Sequence, residues 1–154
     1  MMLYRVRRRG AVMASLLVGL AVATLASSAV AADLTLRISG LKDAKGKIAV
    51  AVFAAPDGFP REDEKAVKAV RLPVDASSHS ALTVIRNLPA GDYAVAVYHD
   101  DNESGRLETN VLGIPQKGYG FSQNVRPRMR APAFDEARFA LPEQGAELGI
   151  AVRY

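Results

Sequence analysis

The residues best suited to chemistry lie together in one acidic loop between Asp100 and Glu108. Carboxylate, amide and hydroxyl oxygens occur at alternate positions, at Asp100, Asn102 and Ser104, and Gly105 follows them. A hard cation such as Ca²⁺ takes roughly six to eight oxygen ligands, and a tight loop supplies them from alternate residues where a glycine permits the turn. The pattern therefore indicates a candidate Ca²⁺ site. Its ligands would be Asp100, Asn102, Ser104, the backbone carbonyl of Arg106, and Glu108.

This loop lacks one feature of a complete calcium loop. The twelfth position, where a bidentate glutamate usually finishes the ligand set, is Val111. Asp, Asn, Ser and Gly also gather in solvated β-turns, because their side chains hydrogen-bond to the nearby backbone. A metal-free turn held by such bonds is therefore the alternative interpretation of the same residues.

A second group of candidate residues lies on a Gly-rich stretch further along the chain. It consists of Tyr119, Phe121, Asn124 and Arg126. Aromatic rings and planar donors on such a loop can form the lip of a glycan- or peptide-binding site. In the alternative interpretation the aromatic rings pin the loop to the body of the protein. The arginines at positions 126 and 128 would then pair with Asp135 and Glu136.

The sequence gives little support for catalysis, and we expect no enzyme activity and no catalytic residues. His99 and Asp100 at a predicted strand end could serve a hydrolase, but a histidine beside carboxylates is more often a hydrogen-bonded surface residue. No serine lies in a G-x-S-x-G motif. The chain has no cysteine and two histidines, so it has no thiol nucleophile and few ligands for zinc.

The N-terminus resembles a secretory signal peptide. Arginines at positions 5, 7, 8 and 9 precede an apolar stretch over 11–26, and small residues follow as far as Ala31. We expect cleavage after Ala31, or alternatively after Ala32. The apolar stretch is short for a bilayer span. The sequence thus predicts a signal peptide at 1–31 and one domain at 32–154, exported by the general secretory route to the periplasm or the cell exterior, without a membrane anchor.

Charge and cysteine content limit the partners of this domain. The whole chain has 20 basic and 16 acidic residues, for a net charge of +4. Four of the basic residues belong to the predicted signal peptide, which leaves equal numbers of the two signs in 32–154. A neutral domain lacks the electrostatic footprint expected for nucleic-acid binding. The absence of cysteine rules out a disulfide framework.

Short strand signals recur along the domain and predict an all-β fold. Strands are expected near 34–39, 47–55, 66–72, 81–86, 93–99, 138–141 and 147–154, with helical turns at 61–65 and 134–137 and a chain reversal at 88–92. A long Gly/Pro-rich loop is expected over 111–133. The similar segments Ala49–Phe53 and Ala94–Tyr98 are candidates for paired core strands. About seven strands suit an antiparallel β-sandwich of the immunoglobulin-like kind.

The chain after the predicted signal peptide resembles, over essentially its whole length and most specifically in its central third, a bacterial family of short exported proteins catalogued as domain of unknown function 2141. Three groups of residues carry the resemblance. They are Leu88, Pro89, Gly91 and Tyr93; then His99, Asp100, Asn102, Gly105, Leu107, Thr109 and Asn110; then Gly113, Ile114, Pro115, Gly118, Tyr119, Gly120, Phe121 and Ser122. The resemblance implies a prealbumin-like β-sandwich and names no activity. Glu108 departs from the aspartate common in such loops.

Overall fold

The computed structural model describes residues 31–111, 115–126 and 128–154. The predicted signal peptide lies outside these ranges except for its last residue. In chain order the strands are β1 Ala31–Ser39, β2 Lys47–Phe53, β3 Lys68–Pro73, β4 Ala81–Pro89, β5 Gly91–Asp100, β6 Tyr119–Phe121, β7 Phe139–Leu141 and β8 Ala146–Ala151. Short 3₁₀ turns lie at Asp63–Lys65 and Ser122–Asn124, and one short helix, α1, spans Phe134–Ala137. Within the described ranges, none of the helices has both the length and the apolar composition of a membrane span.

The strands form two facing sheets, which confirms the predicted all-β sandwich. One sheet has the order β4-β1-β8, and the other has the order β3-β2-β5-β6 with β7 beside β5. Two details differ from the prediction. The described residues contain eight strands, because β6 lies within the stretch expected to be irregular. The sandwich is also not wholly antiparallel, since β1 and β8 pair in parallel. Strand β8 joins the first sheet after the chain has passed through β5, β6 and β7 of the other sheet.

The alternation of residues along β1 explains how it forms one half of the core. Leu34, Leu36 and Ile38 are buried, while Asp33, Arg37 and Ser39 are exposed. The buried side chains meet Ile48, Val50, Val52, Val95 and Val97 of the facing sheet, together with Ile85, Leu88, Leu141 and Ile150. Each of these side chains contributes about 1.5–3 kcal/mol by leaving water.

Strands β2 and β5 are apolar on both faces because both faces are covered. They pair antiparallel with Ala49 opposite Tyr98 and Phe53 opposite Ala94, as the similar sequences predicted. Their inner faces line the main core. Their outer faces meet a second cluster, in which Phe59 makes edge-on contacts with Phe53, Phe121 and Phe134. The part of the long loop that contains Phe121 and Val125 therefore packs on the outer face of this sheet.

The C-terminal segment closes one end of the sandwich against β6. The backbones of Tyr119 and Arg153 exchange hydrogen bonds of 2.8 and 2.9 Å. This approach requires glycine, because a Cβ at Gly118 would lie 2.5 Å from the ring of Tyr154 and one at Gly120 would lie 2.8 Å from Ile150. The GYG sequence thus reflects close packing between β6 and the chain after β8.

Candidate functional site

Strand register positions the acidic loop, residues 100–108, opposite a lysine. Strands β5 and β6 pair antiparallel with Tyr98 opposite Tyr119. The same register continues one step further, because the N–H of His99 donates to the carbonyl of Gly118 at 2.7 Å. The next step brings Asp100, the last residue of β5, opposite Lys117. Sheet pairing, and not the loop sequence, brings this carboxylate and ammonium group together.

The Asp100 carboxylate is the centre of the loop's hydrogen bonds. Its Oδ1 accepts from the Ser104 N–H at 3.0 Å, and its Oδ2 accepts from the Gly105 N–H at 2.8 Å. Arg71 on β3 also donates to Oδ2, at 3.2 Å. Gly105 has a positive φ of 82°, which confirms the glycine-dependent turn expected at this position. The Asp100 side chain is 2% exposed, so these bonds replace its contacts with water.

The five predicted cation ligands do converge on one point, and the Nζ atom of Lys117 lies at that point. The distances from Nζ are 2.6 Å to Asp100 Oδ1, 2.5 Å to Asn102 Oδ1, 2.7 Å to Ser104 Oγ, 3.3 Å to the carbonyl oxygen of Arg106 and 3.8 Å to Glu108 Oε1. The Lys117 side chain is 4% exposed. Across the described ranges, no three His, Cys, Asp or Glu side chains group closely enough to hold a metal ion.

Opposing effects set the pKa of the Asp100 carboxyl. Burial acts to raise it, and the hydrogen bond from Lys117 with those from the Gly105 and Ser104 backbone acts to lower it, leaving the pKa below its ordinary value. The pKa of Glu108 is also lowered, first by the hydrogen bond from the Asn102 amide. Both carboxylates therefore stay ionised around the ammonium group at neutral pH.

Sequence reasoning did not find Lys117 or Arg71. Lys117 lies within the stretch that was expected to be irregular, so its pairing with the end of β5 was not expected. A strand prediction at 119–121 would have revealed it, because an antiparallel partner fixes which residues face each other. Arg71 was placed correctly on a strand, but nothing local to its sequence points to the loop.

His99 is buried instead of lying on the surface as the sequence suggested. It is 0% exposed. Its Nε2 lies 2.6 Å from the carbonyl oxygen of Lys45, and its Nδ1 lies 2.5 Å from the hydroxyl of Tyr154. A carbonyl only accepts, so Nε2 donates to it, and Nδ1 forms the second hydrogen bond, with the tyrosine hydroxyl. The hydrogen bond to Tyr154 thus attaches the C-terminal residue to β5.

The second predicted group lines one cleft between β6 and the chain after β8, here called the Tyr119 cleft. It encloses about 210 Å³. Its lining includes all four predicted residues, Tyr119, Phe121, Asn124 and Arg126, together with Arg153 and Tyr154. The structure therefore brings together residues that the sequence grouped only by proximity along the chain, and it adds two that sequence reasoning missed.

Two of the four predicted residues serve the fold as well as the cleft. Phe121 is buried in the second core cluster. Asn124 bonds to the edge of β8: its amide donates to the Gly149 carbonyl at 2.9 Å and accepts from the Ala151 N–H at 2.8 Å. Tyr119 is half-buried and Arg126 is exposed.

The two arginines that line the Tyr119 cleft are Arg126 and Arg153. Neither Arg126 nor Arg153 forms an ion pair with any residue that the structure describes. Glu136, which was expected to pair with the arginines at 126 and 128, instead pairs with Arg130 at 2.7 Å. Asp135 pairs with Arg138. The alternative interpretation was therefore right about acidic partners for arginines but wrong about which arginines they serve.

Another pocket of about 240 Å³ lies between residues 60–64 and 105–109. Burial raises the pKa of the Asp63 carboxyl there. Arg71, the cation beside it, is already bonded to Asp100, to the hydroxyl of Tyr98 and to the carbonyl of Gly105. Arg61 and Arg106 also line this pocket.

Comparison with known proteins gave one family. The family described as "Uncharacterized protein conserved in bacteria (DUF2141)" matches residues 36–148, which confirms the resemblance found in the sequence. No curated protein matches the chain. No solved structure matches it either.

Proposed function

We propose that this protein, which belongs to the DUF2141 family of uncharacterised bacterial proteins, is an exported, non-enzymatic β-sandwich that binds an acidic glycan in the Tyr119 cleft. The observation that carries the proposal is the pair Arg126 and Arg153, which line the cleft beside aromatic rings and have no ion-pair partner among the described residues. Guanidinium groups recognise carboxylates through paired hydrogen bonds, and a free pair of them favours an anionic ligand.

The shape of the cleft favours one unit of a longer ligand. Its volume of about 210 Å³ is below the roughly 300–1,000 Å³ typical of sites for whole small molecules. Tyr119 and Tyr154 line the cleft together with the two arginines. A flat apolar face next to a fixed cation suits a sugar ring that carries a carboxylate. We therefore propose a uronate-type residue of an acidic polysaccharide as the ligand.

A peptide is the second ligand class expected from the sequence, and the strand geometry makes the cleft less suitable for it. Extended peptides commonly bind by adding a strand to a free sheet edge. Along the cleft, the edge of β8 is already bonded to Asn124, and the backbone of Arg153 is bonded to Tyr119. A peptide would find few main-chain partners there, so the side chains would have to supply all of its binding.

Two observations support the non-enzymatic part of the proposal. Both ring nitrogens of His99 are held by other groups of the protein, so neither is free to take a proton from a substrate. Ser122 is fully buried, and its hydroxyl accepts from the Val95 N–H and donates to the Ala137 carbonyl. Both side chains have structural partners in place of catalytic ones.

For an exported protein, the position of β1 favours cleavage after Ala31 over cleavage after Ala32. Ala31 is exposed at the start of β1, whereas Ala32 is 2% exposed and pairs with Leu88. Cleavage after Ala31 would keep the buried residue, and cleavage after Ala32 would remove it. Mass spectrometry of the protein recovered from the periplasm of its host would show a mature chain that begins at Ala32. Retention of the full chain in the cytoplasm would contradict export.

The binding proposal is tested with an array of uronate-containing and neutral oligosaccharides. The protein, purified as the host processes it, should bind uronate-containing chains and not neutral ones. Arg126→Ala and Arg153→Ala should each weaken binding by at least about tenfold, equivalent to about 1.4 kcal/mol. Arg86→Ala, in the other sheet, is the matched control and should bind normally. Equal binding by all three variants, or binding only to peptides, would contradict the proposal.

A further inference from the structure

The acidic loop has the ligand arrangement of a calcium site but holds an ammonium group. Oxygens from five alternate positions surround Lys117 Nζ, three of them at 2.5–2.7 Å. An ammonium group has three N–H donors, and these match the three short contacts with Asp100, Asn102 and Ser104. The Arg106 carbonyl at 3.3 Å and Glu108 at 3.8 Å complete the shell.

The charges of the site balance without a metal. Asp100 and Glu108 bring two negative charges near the centre, and Lys117 and Arg71 bring two positive charges. A divalent cation at the same point would lie against the ammonium group and would add charge to a neutral cluster. Moving the 4% exposed Lys117 side chain out would leave the ammonium group without its three hydrogen-bond acceptors. Lysine and calcium therefore exclude each other at this point.

We propose that Lys117 is a built-in replacement for a divalent cation, so that the loop is a calcium-type site permanently closed by its own side chain. The lysine takes the structural role that a metal has in such loops. Its ammonium group bonds to the alternate oxygens around one point and so stabilises the turn. The inference does not depend on glycan binding. It assigns a role to Lys117 at the acidic loop and not to the residues of the Tyr119 cleft.

The replacement makes the loop geometry independent of metal supply. Lys117 lies two positions before Tyr119, the first residue of β6. The ammonium group therefore ties the acidic loop after β5 to the chain that leads into β6. A metal bound by the loop alone would order the loop without holding this second segment, whereas the lysine holds both.

Calcium titration of lysine variants tests the inference. The wild-type protein should give no binding heat and no change in melting temperature with CaCl₂ up to millimolar concentration. Lys117→Met keeps an apolar stem of similar length but removes the cation, so it should bind Ca²⁺ with a dissociation constant of about 0.1–1 mM, as in other weak oxygen-ligand sites. Its melting temperature should rise with added CaCl₂. Mg²⁺ should act more weakly, because it demands stricter octahedral geometry.

Lys42→Met is the matched control. Lys42 pairs with Asp101 of the same loop at 2.9 Å but is 47% exposed. This variant should give no binding heat and no change in melting temperature with CaCl₂, the same result that we expect for the wild-type protein. If Lys117→Met is unfolded without metal, CaCl₂ should restore its β-sheet circular dichroism, and Lys117→Gln provides a second variant for the same measurement. Calcium binding by the wild-type protein, or no response to CaCl₂ from both Lys117 variants, would overturn the proposal.

Discussion

The acidic loop follows β5, and the Tyr119 cleft begins at β6, the strand that pairs with β5. The charged groups of the two regions nevertheless have opposite surroundings. At the acidic loop, the buried ammonium of Lys117 contacts five oxygens. The Asp100 carboxylate accepts hydrogen bonds from this ammonium and from the N–H groups of Ser104 and Gly105. In the cleft, Arg126 and Arg153 meet no carboxylate among the described residues. A polar cluster whose donors and acceptors bond to one another contributes to the fold. Charged groups left unpaired beside aromatic rings are available to a ligand.

The largest effect on the free energy of unfolding should come from breaking the hydrogen-bonded cluster around Lys117. Asp100→Asn removes the closest charge from Lys117 and leaves the buried ammonium with Glu108, at 3.8 Å, as its remaining charged partner in the loop. Loss of one partner of a buried pair costs about 3–5 kcal/mol, and we expect the free energy of unfolding in urea to fall by about that amount. Asp101→Asn is the adjacent control. Its pair with Lys42 is partly exposed, so the loss should stay below about 1 kcal/mol. Equal losses would contradict the distinction.

Ser122→Ala tests whether the Ser122 hydroxyl stabilises the turn that carries Asn124 into the Tyr119 cleft. The Ser122 hydroxyl lies 2.9 Å from the Val95 nitrogen and 2.6 Å from the Ala137 oxygen, so it fixes the Ser122–Asn124 turn on the sheet. Its removal leaves a buried donor and acceptor unpaired and should cost about 1–3 kcal/mol by urea unfolding. Ser39→Ala at an exposed position should change stability by less than about 0.5 kcal/mol. A neutral Ser122→Ala would show that the turn does not depend on this bond.

A smaller, pH-dependent effect should distinguish Glu136 from the unpaired cations. The hydrogen bond from Arg130, followed by the one from the Ala133 N–H, lowers the pKa of Glu136 to about 2. A lowered pKa means that this carboxylate stabilises the folded state above the ordinary glutamate pKa of about 4.3, and that the contribution is lost as pH falls toward 2. The stability difference between wild type and Glu136→Gln should therefore shrink over that range. A difference that stays constant with pH would contradict the pairing.

The smallest effect on stability should come from the cleft arginines themselves. Arg126→Ala and Arg153→Ala remove cations that pair with no described carboxylate, so each should change the free energy of unfolding by less than about 0.5 kcal/mol. Thermal or urea unfolding measures this directly. A stability loss above about 1 kcal/mol would mean that the arginines support the fold, and the contrast with the acidic loop would fail.

Much of the fold could be predicted from local patterns. The alternation in β1 and the unbroken apolar sequences of β2 and β5 identify their burial before any pairing is known. Two features had no local signal. Strand β6 is only three residues long and has a glycine at its centre, and the parallel pairing of β8 with β1 joins opposite ends of the domain. Both depend on how the sheets come together.

The candidate sites also combine residues that have a local sequence signal with residues that have none. The alternate oxygens between Asp100 and Glu108 were recognisable from spacing, because the loop that presents them is continuous in sequence. The cation was not, since Lys117 reaches the loop through the register between β5 and β6. Likewise, Arg126 was recognisable as a loop cation, whereas Arg153 joins the cleft only because the C-terminal segment packs beside Tyr119.

The most direct test of this account is to observe the ammonium group of Lys117 by NMR. Lysine ammonium protons exchange too rapidly to be seen at neutral pH unless the group is buried and hydrogen-bonded. In protein labelled with ¹⁵N-lysine, we expect one slowly exchanging ammonium signal that disappears in Lys117→Met and is unchanged when CaCl₂ is added. The absence of that signal, or its loss on addition of calcium, would contradict the claim that the loop is closed by its own lysine.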